Sequence, residues 1–131
     1  MYFLIVDDDP RLGQLLDFYL RTMGHECDVI SNAIEVEPCL HHQFYDAMIL
    51  DLMMPQINGL TLIPAIKIIA PELPIIIFTA AGINDDMMRA ALSAGASGYV
   101  SKTLGPGDVY IAVMRAISNP VQNGKKTWSI P

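Results

Sequence analysis

Four short apolar runs in this chain each end in a polar or charged residue, and this pattern constrains the fold more than any other feature. The runs at residues 3–6, 49–50, 75–78 and 99–101 are ended, in order, by Asp7-Asp8-Asp9, Asp51, Thr79 and Lys102. Continuous apolar runs are typical of buried strands in a parallel sheet. Ligands of an open α/β sheet bind outside the carboxyl ends of its strands. If these runs are neighbouring parallel strands, their polar ends converge on one pocket.

The segments between the runs carry the periodicity and boundary residues of helices. Asp9 is a candidate N-cap, Pro10 suits the first helical position, and Gly24 ends this first segment. Its apolar residues recur at helical spacing on one face: Leu12, Leu15, Leu16, Tyr19, Leu20 and Met23.

Further helices are predicted from Asn32, beyond Gly59 to about residue 69, from 84 to 95 and from 106 to 118, with an additional strand over residues 27–30. Pro38 and Pro64 fall within two of these segments and are expected to delay or bend the helices. Five alternations of strand and helix predict an α/β fold, with a doubly wound parallel sheet covered by helices on both faces.

Length and composition are those of one globular domain. The chain has 131 residues, of which 52% are hydrophobic and 17% charged. The formal net charge of -6 argues against direct nucleic-acid binding by this chain, because such binding needs a basic surface. No apolar run approaches the length of a membrane span, and residues 1–6 are too short for a signal-peptide core. We therefore expect a cytoplasmic protein with no membrane association.

The remaining candidate ligands and the end of the chain carry weaker signals. Cys27 and Cys39 match no metal or redox spacing. The three histidines are expected at exposed helix ends: His25, His41 and His42. Residues 119–131 lose the periodicity and are expected to be a tail or the start of a linker, in which Trp128 is a candidate anchor without an identified partner.

The predicted pocket has the chemistry of a magnesium and phosphoryl-transfer site. Clustered carboxylates from Asp7, Asp8 and Asp51 cannot all stay ionised without a counter-charge. Mg²⁺ prefers a few carboxylates, carbonyls and waters, and the absence of thiolate or imidazole from the set argues against Zn²⁺. A metal-bound carboxylate beside an ammonium (Lys102) and a hydroxyl (Thr79) suits phosphoryl transfer with the carboxylate as nucleophile.

The order and spacing of several motifs match a known family. These motifs are residues 6–10 (Val-Asp-Asp-Asp-Pro), residues 51–55 (Asp-Leu-Met-Met-Pro) with Gly59, Thr79-Ala80, and residues 95–102 (Gly-Ala-Ser-Gly-Tyr-Val-Ser-Lys). Over residues 1–118 the chain resembles a response-regulator receiver domain of two-component signalling. The resemblance implies a flavodoxin-like five-stranded sheet with strand order 2-1-3-4-5.

The resemblance also implies roles for the polar residues of the pocket. Asp51 would accept a phosphoryl group from a sensor histidine kinase or a phosphotransfer protein. Asp8 would ligate Mg²⁺ together with Asp51 and the backbone carbonyl of Met53, and Asp7 would act mainly through water. Asp9 is better explained as the helix cap than as a ligand.

A second set of implied roles concerns the response to phosphorylation. Lys102 would pair with the phosphoryl group, Thr79 would move to hydrogen-bond it, and Tyr99 would turn inward as the aromatic switch. The surface made by the fourth helix, fifth strand and fifth helix would then bind a partner or form a homodimer. Polar side chains two residues after the acceptor Asp or after the Thr are typical of receivers that lose phosphate quickly. Met53 and Ala81 stand there, so slow loss is expected.

One departure from the family pattern lies directly after the lysine. Many receivers have a proline there, held in a cis peptide, whereas Thr103 follows Lys102 in this chain, so the isomer of that bond stays open. Residues 98–103 look most like receivers that precede a helix-turn-helix output domain. This similarity implies transcription regulation through a DNA-binding domain absent from the chain.

Two alternatives to a phosphorylation-dependent switch remain at this point. One is a Mg²⁺-dependent phosphohydrolase or phosphotransferase with an Asp nucleophile, similar to haloacid dehalogenases. Those enzymes carry a second Asp two residues after the nucleophile, where this chain has Met53. The other is a receiver-like interaction domain that is never phosphorylated. The complete set of acids, hydroxyl and lysine favours the switch, which is not a turnover enzyme.

Overall fold

A computed structural model of the protein describes residues 1–55, 57–80 and 84–119. Its strands are β1 (Tyr2–Val6), β2 (Glu26–Ile30), β3 (Ala47–Leu50), β4 (Met53–Met54), β5 (Ile57–Asn58), β6 (Ile75–Thr79) and β7 (Gly98–Ser101). Five of them form one parallel sheet in the order β2-β1-β3-β6-β7. Strands β4 and β5 pair separately as a short antiparallel hairpin. When only the five strands of the parallel sheet are numbered along the chain, their order is 2-1-3-4-5, which confirms the prediction.

Helices cover both faces of this sheet, as predicted. They are α1 (Pro10–Thr22), α2 (Val36–His42), α3 (Gly59–Ile69), α4 (Asp85–Ala94) and α5 (Pro106–Ser118). One buried cluster joins the sheet to α1 and α5, through Leu16 and Val113 among others. The second cluster joins the opposite face to α2, α3 and α4, through Val36, Ile63 and Ala91. Strand side chains alternate between these two cores, so every central strand is buried on both faces.

The helices begin at the polar residues that the sequence indicates. The Asp9 carboxylate accepts a hydrogen bond from the Arg11 amide at 3.0 Å, which confirms it as the N-cap of α1. Asn58 caps α3 and Asn84 caps α4 in the same way. At Asn32 the chain forms one 3₁₀ turn (Ala33–Glu35) before α2 begins. Pro38 lies in the first turn of α2, where the missing amide is tolerated, so the delayed start of this helix agrees with prediction.

Only part of the apolar face of α1 is buried. Leu16 and Leu20 are buried, and Leu12 and Tyr19 pack against the same cluster. By contrast, Leu15 and Met23 are about half exposed. Pro64 lies inside α3, and the helix nevertheless starts at Gly59 and runs through it. Within the described ranges, no helix is both long enough and apolar enough to cross a membrane.

Gly59 allows α3 to start close to the backbone of the Asp51 loop. A Cβ atom at this position would lie 2.7 Å from the Cα of Leu52 and 3.3 Å from the carbonyl oxygen of Asp51. The Gly59 amide donates to the Leu52 carbonyl oxygen at 3.1 Å. Because part of the obstacle is backbone, only a residue without a side chain fits at the start of α3.

Candidate functional site

The sheet itself brings the polar strand ends together. Strands β1, β3, β6 and β7 are neighbours in one parallel sheet, so their carboxyl ends lie along one edge. Backbone pairing continues past the strand ends, because the Asp51 amide donates to Val6 at 2.9 Å and the Lys102 amide donates to Thr79 at 2.8 Å. The side chains of Asp7, Asp51, Thr79 and Lys102 therefore converge in one pocket.

Asp51 lies at the centre of this pocket and is only 3% exposed. Its Oδ1 atom accepts hydrogen bonds from the Met53 amide at 3.0 Å and from the Thr79 hydroxyl at 3.3 Å. Its Oδ2 atom accepts a bond from the Lys102 ammonium at 3.0 Å. Donors from three different segments thus orient one carboxylate. All of them can donate hydrogen bonds to an anionic group at this position.

Asp7 and Asp8 complete the acidic part of the pocket. Asp7 is buried; its Oδ1 atom accepts from the Asp9 amide at 2.9 Å and its Oδ2 atom lies 2.9 Å from Lys102 Nζ. Asp8 is more exposed than either Asp7 or Asp51. Each of these three acids offers one carboxylate oxygen, and the three oxygens lie within 4.8 Å of one another. The pocket therefore has a buried side and an open side, with Asp8 on the open side.

Burial and ion pairing act in opposite directions on the pKa of Asp7 and on that of Lys102. Burial raises the pKa of Asp7 above its ordinary value, and the hydrogen bonds from Lys102 and the Asp9 amide offset this only in part. Burial alone would lower the pKa of Lys102, but hydrogen bonds to Asp7 and Asp51 and the charges of both outweigh it, so the pKa is raised. Lys102 is therefore a cation at neutral pH.

The donor set of the pocket fits a divalent cation with hard oxygen ligands. Three carboxylates and one ammonium leave two formal negative charges when all are ionised, which is the charge that such a cation would balance. Mg²⁺ is typically held by one or two carboxylates with several waters. The exposed position of Asp8 suits this arrangement, since water can reach that side of the group.

Thr79 and Tyr99 occupy different positions relative to the pocket. Thr79 is buried and donates to Asp51, so it lies in the pocket itself. Tyr99 lies in β7 opposite Ile77, is half-buried, and packs against the core beneath α2, α3 and α4. The structure therefore places Tyr99 behind the pocket, two residues along β7 from the Thr79–Ser101 pair.

The turn after Lys102 contains contacts that sequence reasoning missed. The Lys102–Thr103 peptide is trans, as are the other bonds in the part of the chain described. The Ser101 hydroxyl accepts from the Thr103 amide at 3.2 Å and lies 2.9 Å from the Thr103 hydroxyl. The Leu104 amide donates to the Ser101 carbonyl at 3.0 Å. Hydroxyl residues on both sides of the lysine were the available signal, since Ser and Thr side chains bond nearby backbone in turns.

The other candidate ligands lie away from the pocket. His41 and His42 are exposed at the end of α2, as predicted. The expectation for His25 is wrong: it is half-buried, with Nε2 3.0 Å from the Tyr110 hydroxyl and its ring against Phe3. Cys27 is buried, and burial raises the pKa of its thiol to about 12. Ala81 and residues 120–131, including Trp128, lie outside the described residues.

Comparisons with known proteins agree on one family. The family described as response regulator receiver domain matches residues 3–114. The transcriptional regulatory protein BaeR of Escherichia coli is 37% identical over 110 residues, covering 84% of this chain and 45% of BaeR. The transcriptional regulatory protein AruR of Pseudomonas aeruginosa is 37% identical over 109 residues, covering 79% of this chain and 43% of AruR. The chain thus spans less than half the length of these curated relatives.

Solved structures with the same fold include a receiver domain from Clostridium thermocellum, with a TM-score of 0.80 and 29% identity over 89% of this chain and 94% of that one. A receiver domain described as CheY-like, from Methanospirillum hungatei, has a TM-score of 0.83 and 23% identity, covering 89% and 93% of the two chains. At that identity the second likeness shows the fold alone. The family match spans most of this chain, and the chain is therefore a response regulator receiver domain of two-component signalling.

Proposed function

We propose that Asp51 is the phosphoryl acceptor of a phosphorylation-dependent signalling switch. The observation that carries this proposal is the set of donors around its carboxylate: the Lys102 ammonium, the Thr79 hydroxyl and the Met53 amide, all within 3.3 Å. The same groups can donate hydrogen bonds to the negative oxygens of a transferred phosphoryl group. The donor for the reaction is a phosphorylated histidine of a sensor histidine kinase or phosphotransfer protein, by analogy with the family.

In this mechanism one carboxylate oxygen of Asp51 attacks the phosphorus atom of the donor. A phosphorus–oxygen bond to Asp51 forms while the phosphorus–nitrogen bond to the donor imidazole breaks. The imidazole leaves with that electron pair and takes up a proton from water, so it departs neutral. The Lys102 ammonium moves its contact from Asp51 to the phosphoryl oxygens, and the Thr79 hydroxyl donates a hydrogen bond to one of them. Asp51 now carries an acyl phosphate, which water later hydrolyses to carboxylate and phosphate.

Asp8 and Asp51 would hold Mg²⁺ directly, with the Met53 backbone carbonyl, and Asp7 would act through water. The close approach of the three carboxylate oxygens supports this assignment, as do their hard oxygen atoms. When bound, the ion supplies positive charge beside the phosphoryl oxygens. Lys102 supplies further counter-charge through its contact with Oδ2 of Asp51.

Thr79 links the phosphoryl group to the surface around Tyr99. Thr79 pairs with Ser101 across β6 and β7, and Tyr99 lies on the same strand as Ser101. Movement of Thr79 toward the phosphoryl group vacates space that the half-buried Tyr99 ring fills. The surface formed by α4, β7 and α5 then changes shape, and through it the receiver binds a partner or a second copy of the chain.

The output of the switch is transcription regulation through a DNA-binding domain. This part of the proposal is supported by BaeR and AruR, both named transcriptional regulatory proteins, of which the matched region is less than half. Residues 1–118 form the receiver domain, and residues 119–131 form a tail or the start of the linker. The receiver itself is acidic and does not contact nucleic acid.

Incubation with Mg²⁺ and a small phosphodonor such as acetyl phosphate tests this proposal. A switch accumulates one protein-bound phosphoryl group per chain and releases phosphate slowly. A phosphohydrolase releases phosphate through many turnovers without accumulating label, and an interaction domain that is never phosphorylated does neither. Continuous turnover or the absence of label would each contradict the proposal.

A further inference from the structure

The ammonium of Lys102 reaches its partners across a neighbouring strand. Strand β7, which Lys102 follows, lies at the edge of the sheet, and β6 separates it from β3, which leads to Asp51. The Nζ atom nevertheless lies 3.0 Å from Oδ2 of Asp51 and 2.9 Å from Oδ2 of Asp7. A lysine carries its charge on a flexible four-carbon stem, so the position of that charge depends on the direction in which the backbone presents the side chain.

Three contacts close a turn around Lys102. The Leu104 amide donates to the Ser101 carbonyl oxygen at 3.0 Å, which is the bond of a β-turn with Lys102 and Thr103 at its centre. The Thr103 amide donates to the Ser101 hydroxyl at 3.2 Å, and the hydroxyls of these two residues lie 2.9 Å apart. Ser101 is thus bonded through both its main chain and its side chain to residues beyond the lysine.

The backbone on the two sides of Lys102 is held by different partners. On the strand side, the Lys102 amide donates to the Thr79 carbonyl oxygen at 2.8 Å. On the far side, the Ser101 hydroxyl holds Thr103, which is exposed, whereas Ser101 is half-buried. Without this hydroxyl the Thr103 amide would bond to water, because a polar group at the surface can exchange one partner for the other. The turn would then depend on the Leu104–Ser101 bond and hold the lysine less tightly.

We propose that Ser101 is a positioning residue for phosphoryl transfer, because its hydroxyl, bonded to Thr103, holds the turn that directs Lys102 to Asp51. This inference rests on the proposed role of Asp51 as the acceptor. Within the described residues the hydroxyl bonds to Thr103 and not to Asp51, so it acts through Lys102. A charge that is already in place stabilises developing negative charge without being moved during the reaction. Loss of the hydroxyl should therefore slow the transfer although the ammonium is still present.

The rate at which acetyl phosphate labels the chain in the presence of Mg²⁺ tests this inference. Ser101→Ala should be labelled about tenfold more slowly than the native chain, because a small displacement of a group that stabilises the transition state has a large effect on rate. Ser101→Thr keeps a hydroxyl on a residue type that suits strands, and it should restore most of the rate. An unchanged rate in Ser101→Ala, or a rate in Ser101→Thr as low as that of Ser101→Ala, would overturn the inference.

Ser97→Ala is the matched control. Ser97 directly precedes β7 at the end remote from Lys102, and its hydroxyl also accepts a bond from a backbone amide, that of Ile75 at 3.3 Å. Both serines are half-buried, so urea unfolding should show similar losses of stability for the two variants. Phosphorylation should be slowed in Ser101→Ala and not in Ser97→Ala. Equal slowing in both would indicate a general effect of lower stability and would contradict a positioning role.

Thr103→Val gives a second measurement at an exposed position, where we expect the fold to be kept. This variant loses the 2.9 Å contact between the two hydroxyls but keeps the bond from its amide to Ser101. Labelling should therefore be slowed by a smaller factor than in Ser101→Ala. A native rate in Thr103→Val would contradict the proposed hold of the Ser101 hydroxyl on Thr103.

A further pair of variants tests whether Ser101 acts through Lys102. In the Lys102→Met background, Ser101→Ala should cause no additional slowing, because no ammonium is left to position. The same slowing in that background as in the native one would contradict the inference. A native chain that takes up no label would instead contradict the role of Asp51, so the two failures can be told apart.

Discussion

The Nζ atom of Lys102 lies 3.0 Å from Oδ2 of Asp51, and this contact joins the ends of two strands that are not neighbours in the sheet. The same nitrogen lies 2.9 Å from Oδ2 of Asp7. One ammonium therefore pairs with two buried carboxylates, and the fold itself supplies positive charge at the proposed acceptor. Several consequences can be measured without a partner protein.

Loss of Lys102 should destabilise the protein in metal-free buffer. In Lys102→Met the two carboxylates lose their shared cation, and we expect the free energy of unfolding to fall by about 1–3 kcal/mol, because unpaired buried charge is costly. Adding Asp7→Asn should recover part of this loss. Urea unfolding measures both effects.

Arg89→Met is the control for this charge effect. Its ion pair with Asp86 is almost fully exposed, and such pairs contribute about 0–1 kcal/mol. If Lys102→Met cost no more than Arg89→Met, the ammonium would not be needed to balance Asp7 and Asp51.

Magnesium should raise the melting temperature of the native chain. A ligand that binds only the folded state stabilises it by about 2.7 kcal/mol when present at 100 times its Kd. Asp8→Asn should weaken this rise, because it removes a proposed ligand, and should raise the melting temperature without metal, because it removes repulsion. Thermal scans across a Mg²⁺ titration measure both quantities.

The control for the metal effect is Asp9→Asn, since asparagine is as good an N-cap as aspartate and α1 should keep its start. The Mg²⁺ response of this variant should match that of the native chain. A native melting temperature that is indifferent to Mg²⁺ would contradict the assignment of the acidic group as a metal site.

Thr79→Ala should separate phosphorylation from its consequence. Asp51 keeps Lys102 and the Met53 amide, so the variant should still accept phosphate, but the hydroxyl that follows the phosphoryl group is missing. Phosphorylation should increase the dimer or partner affinity of the native chain more than that of Thr79→Ala. Because coupling free energies are typically about 1–3 kcal/mol, we expect the two increases to differ by a factor of roughly five or more. Thr79→Ser restores the hydroxyl and should restore the response. Sedimentation of phosphorylated samples measures the dimer affinity of each variant. An equal increase in affinity for Thr79→Ala and the native chain would contradict the coupling through Thr79.

Gly59→Ala should destabilise the loop that carries Asp51. The new Cβ atom would meet the Cα of Leu52 at 2.7 Å, and backbone must shift to relieve it, at a cost of about 1–3 kcal/mol. Gly107→Ala is the matched control, because its Cβ would meet only the Tyr19 hydroxyl at an ordinary 3.4 Å within α5. Denaturant unfolding of both variants measures the difference, and equal stability would mean that the close approach at Gly59 is not tight.

Phosphate should be lost slowly from Asp51, and Met53 should be one cause. Met53 is 62% exposed beside the acceptor, and its side chain cannot position a water molecule for in-line attack. A hydrogen bond from the side chain at position 53 to the attacking water contributes about 1–2 kcal/mol. Met53→Asn should therefore speed hydrolysis roughly tenfold, whereas Met53→Leu should not. Release of phosphate after removal of the donor measures the rate, and equal decay of both variants would exclude this role for Met53.

The strands and the helix boundaries were predictable because their signals are local. The apolar runs end at Asp7, Asp51 and Thr79, and Asp9 and Asn84 cap the helices that follow, with each cap within a few residues of what it stabilises. The order of strands required the resemblance to receivers, because alternation of strands and helices does not by itself specify which strands are neighbours.

What escaped prediction depends on contacts between distant parts of the chain. Helical spacing predicts an apolar stripe on α1 but not how much of it is buried, and Leu15 and Met23 are about half exposed. His25 follows a helix and looks exposed in sequence, yet Tyr110 of α5 covers it. The turn at Ser101 and Thr103 and the span of Lys102 across two carboxylates are likewise visible only in three dimensions.

Identification of the modified residue tests the central claim most directly. After reaction with acetyl phosphate and Mg²⁺, reduction with borohydride converts an aspartyl phosphate to homoserine, and tandem mass spectrometry then locates it. We predict homoserine at position 51 in the native chain, and at no position in Asp51→Asn. Homoserine at position 7 or 8 in the native chain, or its complete absence after full incubation with the donor, would contradict the assignment of Asp51 as the acceptor.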